Sequence, residues 1–342
     1  MIVEGLDKTY NFEFEAAEEI YNKIHLKYPS NPAYATLMNM MIYVQHAPIK
    51  DNPKAKARYL FFLNKSVELS EKMIAKDEND PEAVFFMLSS LGNLAAWQAD
   101  NDEMLKAVNT ARRAFAYMKK GMKMTEIQTD FLFTTGLYNY YIEQYPEDHS
   151  FVKPFMVFFS DGNKKLGLQQ LELCSKKALF TAVEASYYSV YINLEHESKP
   201  EKAFAIMNQL CSKYPNNLLY KTKLAESLIA LNKLEAAQPL VAELMKTNGR
   251  FYPVAGNVFQ GIIEEKLKKN DKEAQMFYKK ALKTPPDLRF TQNYHAMAWL
   301  GLGRIALREN KKSVAKDNFK MTLKLSEYKS VNNEAQKYLK GL

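Results

Sequence analysis

The strongest restriction on the fold is a recurring spacing of small, aromatic and aliphatic residues in two adjacent segments near the end of the chain. In the first segment these residues are Trp299, Leu302, Gly303 and Ala306, and in the second they are Ala315, Phe319 and Thr322. Intervals of three and four place such residues on one face of an α-helix. Because Gly303 and Ala315 are small, they allow two helix axes to approach to about 8–10 Å. The sequence therefore predicts two short antiparallel helices.

The second-helix pattern occurs again in several earlier segments. The matching positions are Ala17-Tyr21-Ile24, Ala203-Met207-Leu210, Ala237-Val241-Leu244 and Ala274-Tyr278-Ala281. This pattern resembles the tetratricopeptide repeat (TPR). The resemblance implies an all-α fold, a right-handed α-α superhelix of about eight helix pairs with a C-terminal capping helix.

We expect one TPR-like α-solenoid domain over residues 1–342. Its parts are N-terminal pairs with longer helices (1–130), an aromatic insertion (131–161), regular TPR pairs (162–330) and the capping helix (331–342). With only 12 Gly and 13 Pro, the composition argues against a turn-rich, many-stranded fold. No apolar run reaches the roughly 18 residues that a membrane span needs, so we expect none.

A second resemblance covers about residues 130–217. It is carried by Gly136-Leu137-Tyr138-Asn139-Tyr140-Tyr141, Tyr145-Pro146, Asp161-Gly162, Glu184-Ala185 and Lys213-Tyr214-Pro215-Asn216-Asn217. This region is similar to a bacterial TPR family and, more distantly, to the eukaryotic inclusion-body-clearance family. The resemblance implies a non-catalytic scaffold and carries no functional site to this chain.

The net charge of +8 is unevenly distributed. Residues 1–150 hold 16 Lys and Arg against 21 Asp and Glu, whereas residues 151–342 hold 31 against 18. The last helices are richest in lysine, with Lys311, Lys312, Lys316, Lys320, Lys324, Lys329, Lys337 and Lys340. We expect a solvated outer face, with binding of an acidic partner, nucleic acid or anionic lipid as the alternative. Nucleic acid is the disfavoured partner.

The first ten residues show no basic segment followed by an apolar core, so no signal peptide is visible. The default expectation is a cytoplasmic protein, and the alternative is a periplasmic or secreted protein whose leader has been removed. Two cysteines, Cys174 and Cys211, are too few for a disulfide framework, so we expect small core residues of helices. The oligomeric state is left open.

Motifs that resemble cofactor or metal sites have simpler explanations. Residues 301–306 spell G-x-G-x-x-A, but the segment before them is helical by pattern, whereas a dinucleotide site requires a strand there. The side chains of Glu195, His196 and Glu197 diverge by about 100° per residue on a helix, so they cannot converge on one ion; we expect a surface helix end. The sequence predicts no enzyme, no cofactor and no metal.

Two surfaces remain as candidate binding sites. One is an aromatic pocket in the 131–159 stretch, formed by Tyr138, Tyr141, Tyr145, Phe155 and Phe158. The other is a groove on the first helices of the C-terminal pairs, lined by Tyr188, Ile192, Leu219, Thr222, Phe259, Ile263, Met297, Leu300 and Arg304. Both sets have an alternative role, because the aromatic residues can thicken the core and the groove residues can pack between neighbouring repeats.

From these patterns we predict a non-enzymatic scaffold that binds a peptide or helix of a protein partner in the groove. The alternative is a small-molecule or glycan binding protein that uses the aromatic 131–159 region.

Overall fold

The computed structural model of the chain describes residues 1–148, 153, 161–249 and 251–342, and in these residues it is all-α, with 17 α-helices and no β-strand. The first eight are α1 (Ile2–Tyr10), α2 (Phe14–Lys27), α3 (Ala33–His46), α4 (Pro53–Ile74), α5 (Pro81–Asp100), α6 (Met104–Gly121), α7 (Phe131–Asp148) and α8 (Lys164–Lys177). The others are α9 (Ala182–Glu195), α10 (Pro200–Lys213), α11 (Leu218–Ala230), α12 (Leu234–Lys246), α13 (Tyr252–Lys266), α14 (Asp271–Leu282), α15 (Gln292–Arg308), α16 (Lys312–Leu325) and α17 (Lys329–Lys340).

This order confirms the predicted all-α class, with helices in consecutive pairs and α17 as the additional C-terminal helix. The chain forms two compact units, residues 1–186 and residues 187–342. The expected single domain over 1–342 stays a prediction.

Within a pair, a small residue of the first helix meets a large ring of the second. The Phe319 ring lies against Gly303, where an added Cβ atom would be 2.4 Å from a ring carbon. Gly261 meets Tyr278 in the same way, at 2.6 Å. The aromatic and alanine positions of the α14 and α16 repeats are all buried, and they are Ala274, Tyr278, Ala281, Ala315 and Phe319. The absence of a side chain at these glycines therefore determines how closely the two helices of a pair can approach.

The first part of the aromatic stretch is helix α7, which packs on α8 where Gly136 and Gly167 meet. The expected insertion over 131–161 stays a prediction. A Cβ atom at Gly167 would lie 2.6 Å from the carbonyl oxygen of Gly136. Phe131 and Tyr140 of α7 are fully buried. These two aromatic residues therefore belong to the core of the first unit.

Asp130 joins the start of α7 to the residues just before α9, all within the first unit. Its buried carboxylate accepts hydrogen bonds from the backbone N–H groups of Phe180, at 2.7 Å, and Thr181, at 2.8 Å. The Thr181 hydroxyl donates to the same oxygen at 2.9 Å. These N–H groups come immediately before α9, where a helix has no partners of its own for them. One side chain thus fixes the start of α9 against the start of α7.

The cysteines are free thiols; Cys174 is buried and Cys211 is half-buried. Burial raises the pKa of each thiol to about 12. Both side chains are therefore protonated and unreactive at neutral pH.

Substitution of Gly303 by alanine tests the close contact in the second unit. Alanine favours the helix by about 1 kcal/mol, but the new Cβ atom would collide with a buried ring, and we expect a net loss of about 1–3 kcal/mol in the free energy of unfolding. Urea denaturation measures it. Gly92→Ala is the matched control, since a Cβ atom there meets nothing within 4 Å. A stabilising Gly303→Ala would contradict the contact.

A second test concerns Glu184, a buried carboxyl of the first unit. It accepts a hydrogen bond from the Tyr10 hydroxyl, and its Oε2 atom has no partner among the described residues. Burial raises the pKa of Glu184 from 4.5 to about 7, and the nearby Asp130 adds to the shift. The folded chain therefore holds this proton more tightly than the unfolded chain, and stability falls as the pH rises from 4.5 to about 7.

We expect Glu184→Gln to stabilise the protein at pH 8 by up to about 2–3 kcal/mol and to change little at pH 4.5 or below. The measurement is urea unfolding of both proteins across this pH range. Glu172→Gln is the control, because Glu172 is exposed and pairs with Lys176 on the surface of α8. Equal stability of Glu184→Gln and the parent protein at pH 8 would show that Glu184 is not protonated by burial.

Candidate binding face of the second unit

The predicted groove residues lie on α9, α11, α13 and α15, the first helices of their pairs, which we call the first-helix face. Tyr188 is 41% exposed, and Leu219 and Met297 are partly exposed. The other six are buried, and they are Ile192, Thr222, Phe259, Ile263, Leu300 and Arg304. The structure thus places these six residues where neighbouring repeats pack. Packing between repeats was the alternative to partner binding for these residues.

Helix α13 shows why so much of this set is enclosed. Eleven of its fifteen residues are buried, so the helix is covered all round. Phe259 has no exposed surface, and its ring meets the edge of Tyr294 at a centroid distance of 5.4 Å. A side chain of this kind supports the face but offers no area to a partner.

A buried charged pair lies on the first-helix face. Lys223 and Glu226 are one turn apart on α11, are 4% and 1% exposed, and form an ion pair of 2.9 Å. The Lys223 ammonium also donates to the Tyr328 hydroxyl at 2.9 Å and lies 4.3 Å from the centre of the Tyr191 ring. We call these four residues, together with Tyr294, the Lys223 cluster.

The Lys223 cluster joins helices that are distant in the chain. Tyr294 of α15 donates its hydroxyl proton to Glu226 at 3.0 Å. Tyr328 precedes α17 and is 105 residues from Lys223. Burial disfavours the ammonium, but Glu226 and the surrounding tyrosines outweigh it, so the pKa of Lys223 is raised well above its usual value. Lys223 therefore keeps its charge, and its contacts join α11, α15 and the residue before α17.

A second buried ion pair lies at the other end of the same helices. Arg304 of α15 donates to both carboxylate oxygens of Glu265, at 2.8 and 2.6 Å, and to Glu334 of α17 at 2.9 Å. Glu265 also accepts from Arg308 at 3.0 Å and from the Tyr278 hydroxyl at 2.8 Å. We call this group the Glu265 cluster.

Burial alone would raise the pKa of Glu265, but the hydrogen bonds from Arg304 and Arg308 hold it below its ordinary value. The same contacts raise the pKa of Arg304, against the effect of its burial. Glu265 and Arg304 therefore both carry their charges at neutral pH. Arg304, predicted as the cation of the groove, is thus already neutralised by the chain's own carboxylates.

The predicted aromatic pocket is only partly described. Tyr145 is 48% exposed, and Tyr138 and Tyr141 are partly buried. The Tyr138 ring lies 6.1 Å from Phe115, and Tyr141 meets the edge of buried Tyr140 at 5.3 Å. Phe155 and Phe158 lie outside the described residues. The pocket therefore stays a prediction.

Two other sequence expectations concern motifs. Gly301 and Gly303, within the G-x-G-x-x-A motif, lie inside the continuous helix α15 and accommodate the rings of Tyr278 and Phe319. The expected surface position of the Glu195 helix end is wrong, because Glu195 is only 8% exposed. The eight C-terminal lysines are all exposed.

Among the described residues, no group of three or more His, Cys, Asp or Glu side chains could hold a metal ion. In the same residues no helix has both the length and the apolar character that crossing a membrane requires.

The helices follow in consecutive pairs, and in the α1–α2, α13–α14 and α15–α16 pairs a ring of the second helix lies against a glycine of the first. The fold is TPR-like. In general, a TPR-like fold is a scaffold for protein interactions.

No known family model and no curated protein sequence matches the chain. Solved structures with some likeness include yeast Tom70, at 13% identity and a TM-score of 0.42, covering 90% of this chain and 63% of that chain. Human IFIT1 with PPP-AAAA has 16% identity and a TM-score of 0.42, and the match covers 96% of this chain and 67% of that chain. A tetratricopeptide repeat protein from Parabacteroides merdae has 16% identity and a TM-score of 0.37, and the match covers 94% of this chain and 98% of that chain. The chain spans less than two thirds of the Tom70 chain. These likenesses are too distant to carry a ligand or a residue's role to this protein.

Sequence reasoning missed the Lys223 cluster. Its local signal is a Lys and a Glu at i and i+3 on a helix with apolar residues on both sides. An ion pair at this spacing is ordinarily a surface feature. The long-range contact with Tyr328 has no local signal at all.

We expect Lys223→Met to lower the free energy of unfolding by about 3–5 kcal/mol, because Glu226 would remain as a buried, uncompensated charge. The double variant Lys223→Met with Glu226→Gln should recover most of the loss. Lys221→Met is the control on the same helix, since the pair of Lys221 with Glu243 is partly exposed and contributes less than about 1 kcal/mol. Urea denaturation of the four proteins measures the coupling. If the single and double variants are equally destabilised, the loss is not caused by the unpaired charge.

Proposed function

We propose that the protein is a non-enzymatic scaffold that binds a segment of a protein partner on the first-helix face of the second unit. The observation that carries the proposal is the exposure of apolar side chains on this face, around the enclosed Lys223 cluster. Tyr188 of α9, Leu219 of α11 and Met297 of α15 keep accessible surface, whereas the residues between them are buried.

The positions of these side chains follow from the cluster. Tyr188 precedes Tyr191 by three residues, and their rings are 6.3 Å apart. Leu219 precedes Lys223 by one turn of α11, and Met297 follows Tyr294 by three residues on α15. Residues three or four apart are neighbours on a helix surface, so each apolar group adjoins a member of the Lys223 cluster.

The clusters beneath the face support binding by holding it rigid. Buried ion pairs and tyrosine hydroxyls link α11, α13, α15 and the start of α17, so little ordering is required when a partner binds. A preorganised apolar surface with polar surroundings is the arrangement in which a few aromatic and Met contacts provide most of the affinity. The site residues that we assign to contact are Tyr188, Leu219 and Met297.

The test uses peptides selected from a random 12-residue library displayed on phage against the full chain. We expect Tyr188→Ala with Met297→Ala to weaken the selected peptides by about 10-fold to 100-fold, since each lost contact costs roughly 1 kcal/mol or more. Fluorescence anisotropy with the synthetic peptides measures the affinities.

Met276→Ala with Val314→Ala is the matched control. Both residues are about half exposed, at 49% and 50%, but they lie on second helices, α14 and α16. We expect this control to bind the peptides as the parent protein does. Equal binding by all three proteins would place the peptide site elsewhere and refute the proposal.

A further inference from the structure

One segment on the first-helix face lies outside the helix pairs. Residues 326–328 connect α16 to α17, and their backbone is extended at both ends of the segment. The N–H of Glu327 donates to the side-chain oxygen of Asn293 on α15 at 2.9 Å, and the Tyr328 side chain enters the Lys223 cluster. An extended backbone held by a hydrogen bond, with one side chain in a pocket, is the way in which a protein binds a peptide. The segment therefore has the geometry of a bound ligand.

The pocket of Tyr328 is formed by two aromatic rings and an ammonium group. The Lys223 ammonium lies 4.3 Å from the centre of the Tyr191 ring on α9 and 5.6 Å from that of Tyr294 on α15. The third ring around it is Tyr328, at 5.7 Å, whose hydroxyl accepts a hydrogen bond from Lys223 at 2.9 Å. Two rings of this cage thus belong to repeat helices, and the third comes from the connecting segment. The pocket recognises a phenol by its ring and by its oxygen.

The charges in the pocket favour a neutral phenol over a phosphorylated one. Lys223 is already paired with Glu226 at 2.9 Å. The Glu226 side chain is buried, and its Oε1 atom accepts no hydrogen bond from the residues that the structure describes. A phosphate dianion would lie beside this carboxylate where water does not separate the two, and like charges repel most strongly there. A tyrosine side chain is therefore the matching ligand.

The helix that follows Tyr328 has little buried surface. Of the twelve residues of α17 only Val331 and Ala335 are buried, whereas eleven of the fifteen residues of α13 are. The ion pair of Glu334 with Arg304 holds α17 on α15, and the Glu334 side chain is 37% exposed. Because an isolated helix of twelve residues is not stable in water, α17 is ordered only while these contacts persist.

The surface beneath Tyr328 is polar, as a surface that is covered reversibly must be. Burying an ion pair costs free energy, and an apolar core of similar volume is often equally stable. Water solvates Lys223 and Glu226 when Tyr328 leaves, and Tyr294 still links α15 to α11 through Glu226. The repeat helices therefore keep their contact in the absence of the connecting segment.

We propose that residues 326–340 are a built-in competitor of the partner. Tyr328 occupies the pocket for a tyrosine side chain of the partner segment, and binding of that segment releases α17. This inference rests on the proposed function. The contact residues assigned there, Tyr188, Leu219 and Met297, each adjoin a member of the Lys223 cluster, so a segment that spans them passes over the position of Tyr328.

The experiment is hydrogen–deuterium exchange of the full chain, measured by mass spectrometry. The probe is a saturating concentration of a library peptide whose binding requires Tyr188 and Met297. Released α17 loses its protection, so we expect its amides to exchange at least about 10-fold faster in the complex. The amides of α12, which packs on α11 and α13 of the same unit, are the internal reference and should not change.

Two variants test the pocket itself. Tyr328→Phe keeps the ring and removes the hydroxyl that accepts from Lys223, so the connecting segment competes less well, and we expect the peptides to bind about 10-fold more tightly. Tyr338→Phe is the matched control, because Tyr338 lies on α17 and stacks on Phe319 at 5.0 Å. This control should bind the peptides as the parent protein does. Phosphorylation of the peptide's tyrosine should weaken binding at least about 10-fold.

Faster exchange of α17 in the complex, tighter binding by Tyr328→Phe alone, and a tyrosine in the selected peptides support the inference. Unchanged or slower exchange of α17, equal affinities of the two variants, peptides without tyrosine, or tighter binding of the phosphorylated peptide overturns it. If the peptides depend on Tyr188 and Met297 while α17 keeps its protection, the competition fails and the proposed function stands.

Discussion

The contact on which the structure depends is that of an aromatic ring with the bare backbone of a neighbouring helix. Phe319 lies on Gly303, and Tyr278 lies between Gly261 and Gly301, with an imaginary Cβ atom 2.4 to 2.6 Å from ring carbons. A ring buried in this way removes a large apolar area from water and fixes the separation of two helices at once. The same contact joins Gly5 of α1 to Tyr21 of α2, so it occurs in both units of the chain.

This contact explains which helix pairs can be predicted from the sequence alone. The spacing of Gly303, Ala315 and Phe319 is local, so it predicts the α15 and α16 pair and, by repetition, the other pairs. The contact between α7 and α8 has no such local signal, because it joins Gly136 to Gly167, 31 residues later.

The candidate site was less predictable than the fold. Phe259 and Ile263 form an apolar stripe, and such a stripe has the same appearance whether it faces a partner or the next repeat. Only the packing of α13 decides between the two. The buried charges were harder still, since Lys223 and Glu265 reach partners on other helices, up to 105 residues away. Periodicity within a helix contains no information about such contacts.

Tyr328 also has a consequence for the order in which this protein is made. Lys223 and Glu226 leave the ribosome about 100 residues before the side chain that encloses them, which corresponds to roughly 5–20 s of synthesis. During that interval both groups are hydrated, and the free energy of an ammonium and of a carboxylate is lower in water than in an apolar environment. An aliphatic pair at these positions would instead expose apolar surface on the unfinished chain. A charged pair at these positions thus leaves less apolar surface on the unfinished second unit than an aliphatic pair would.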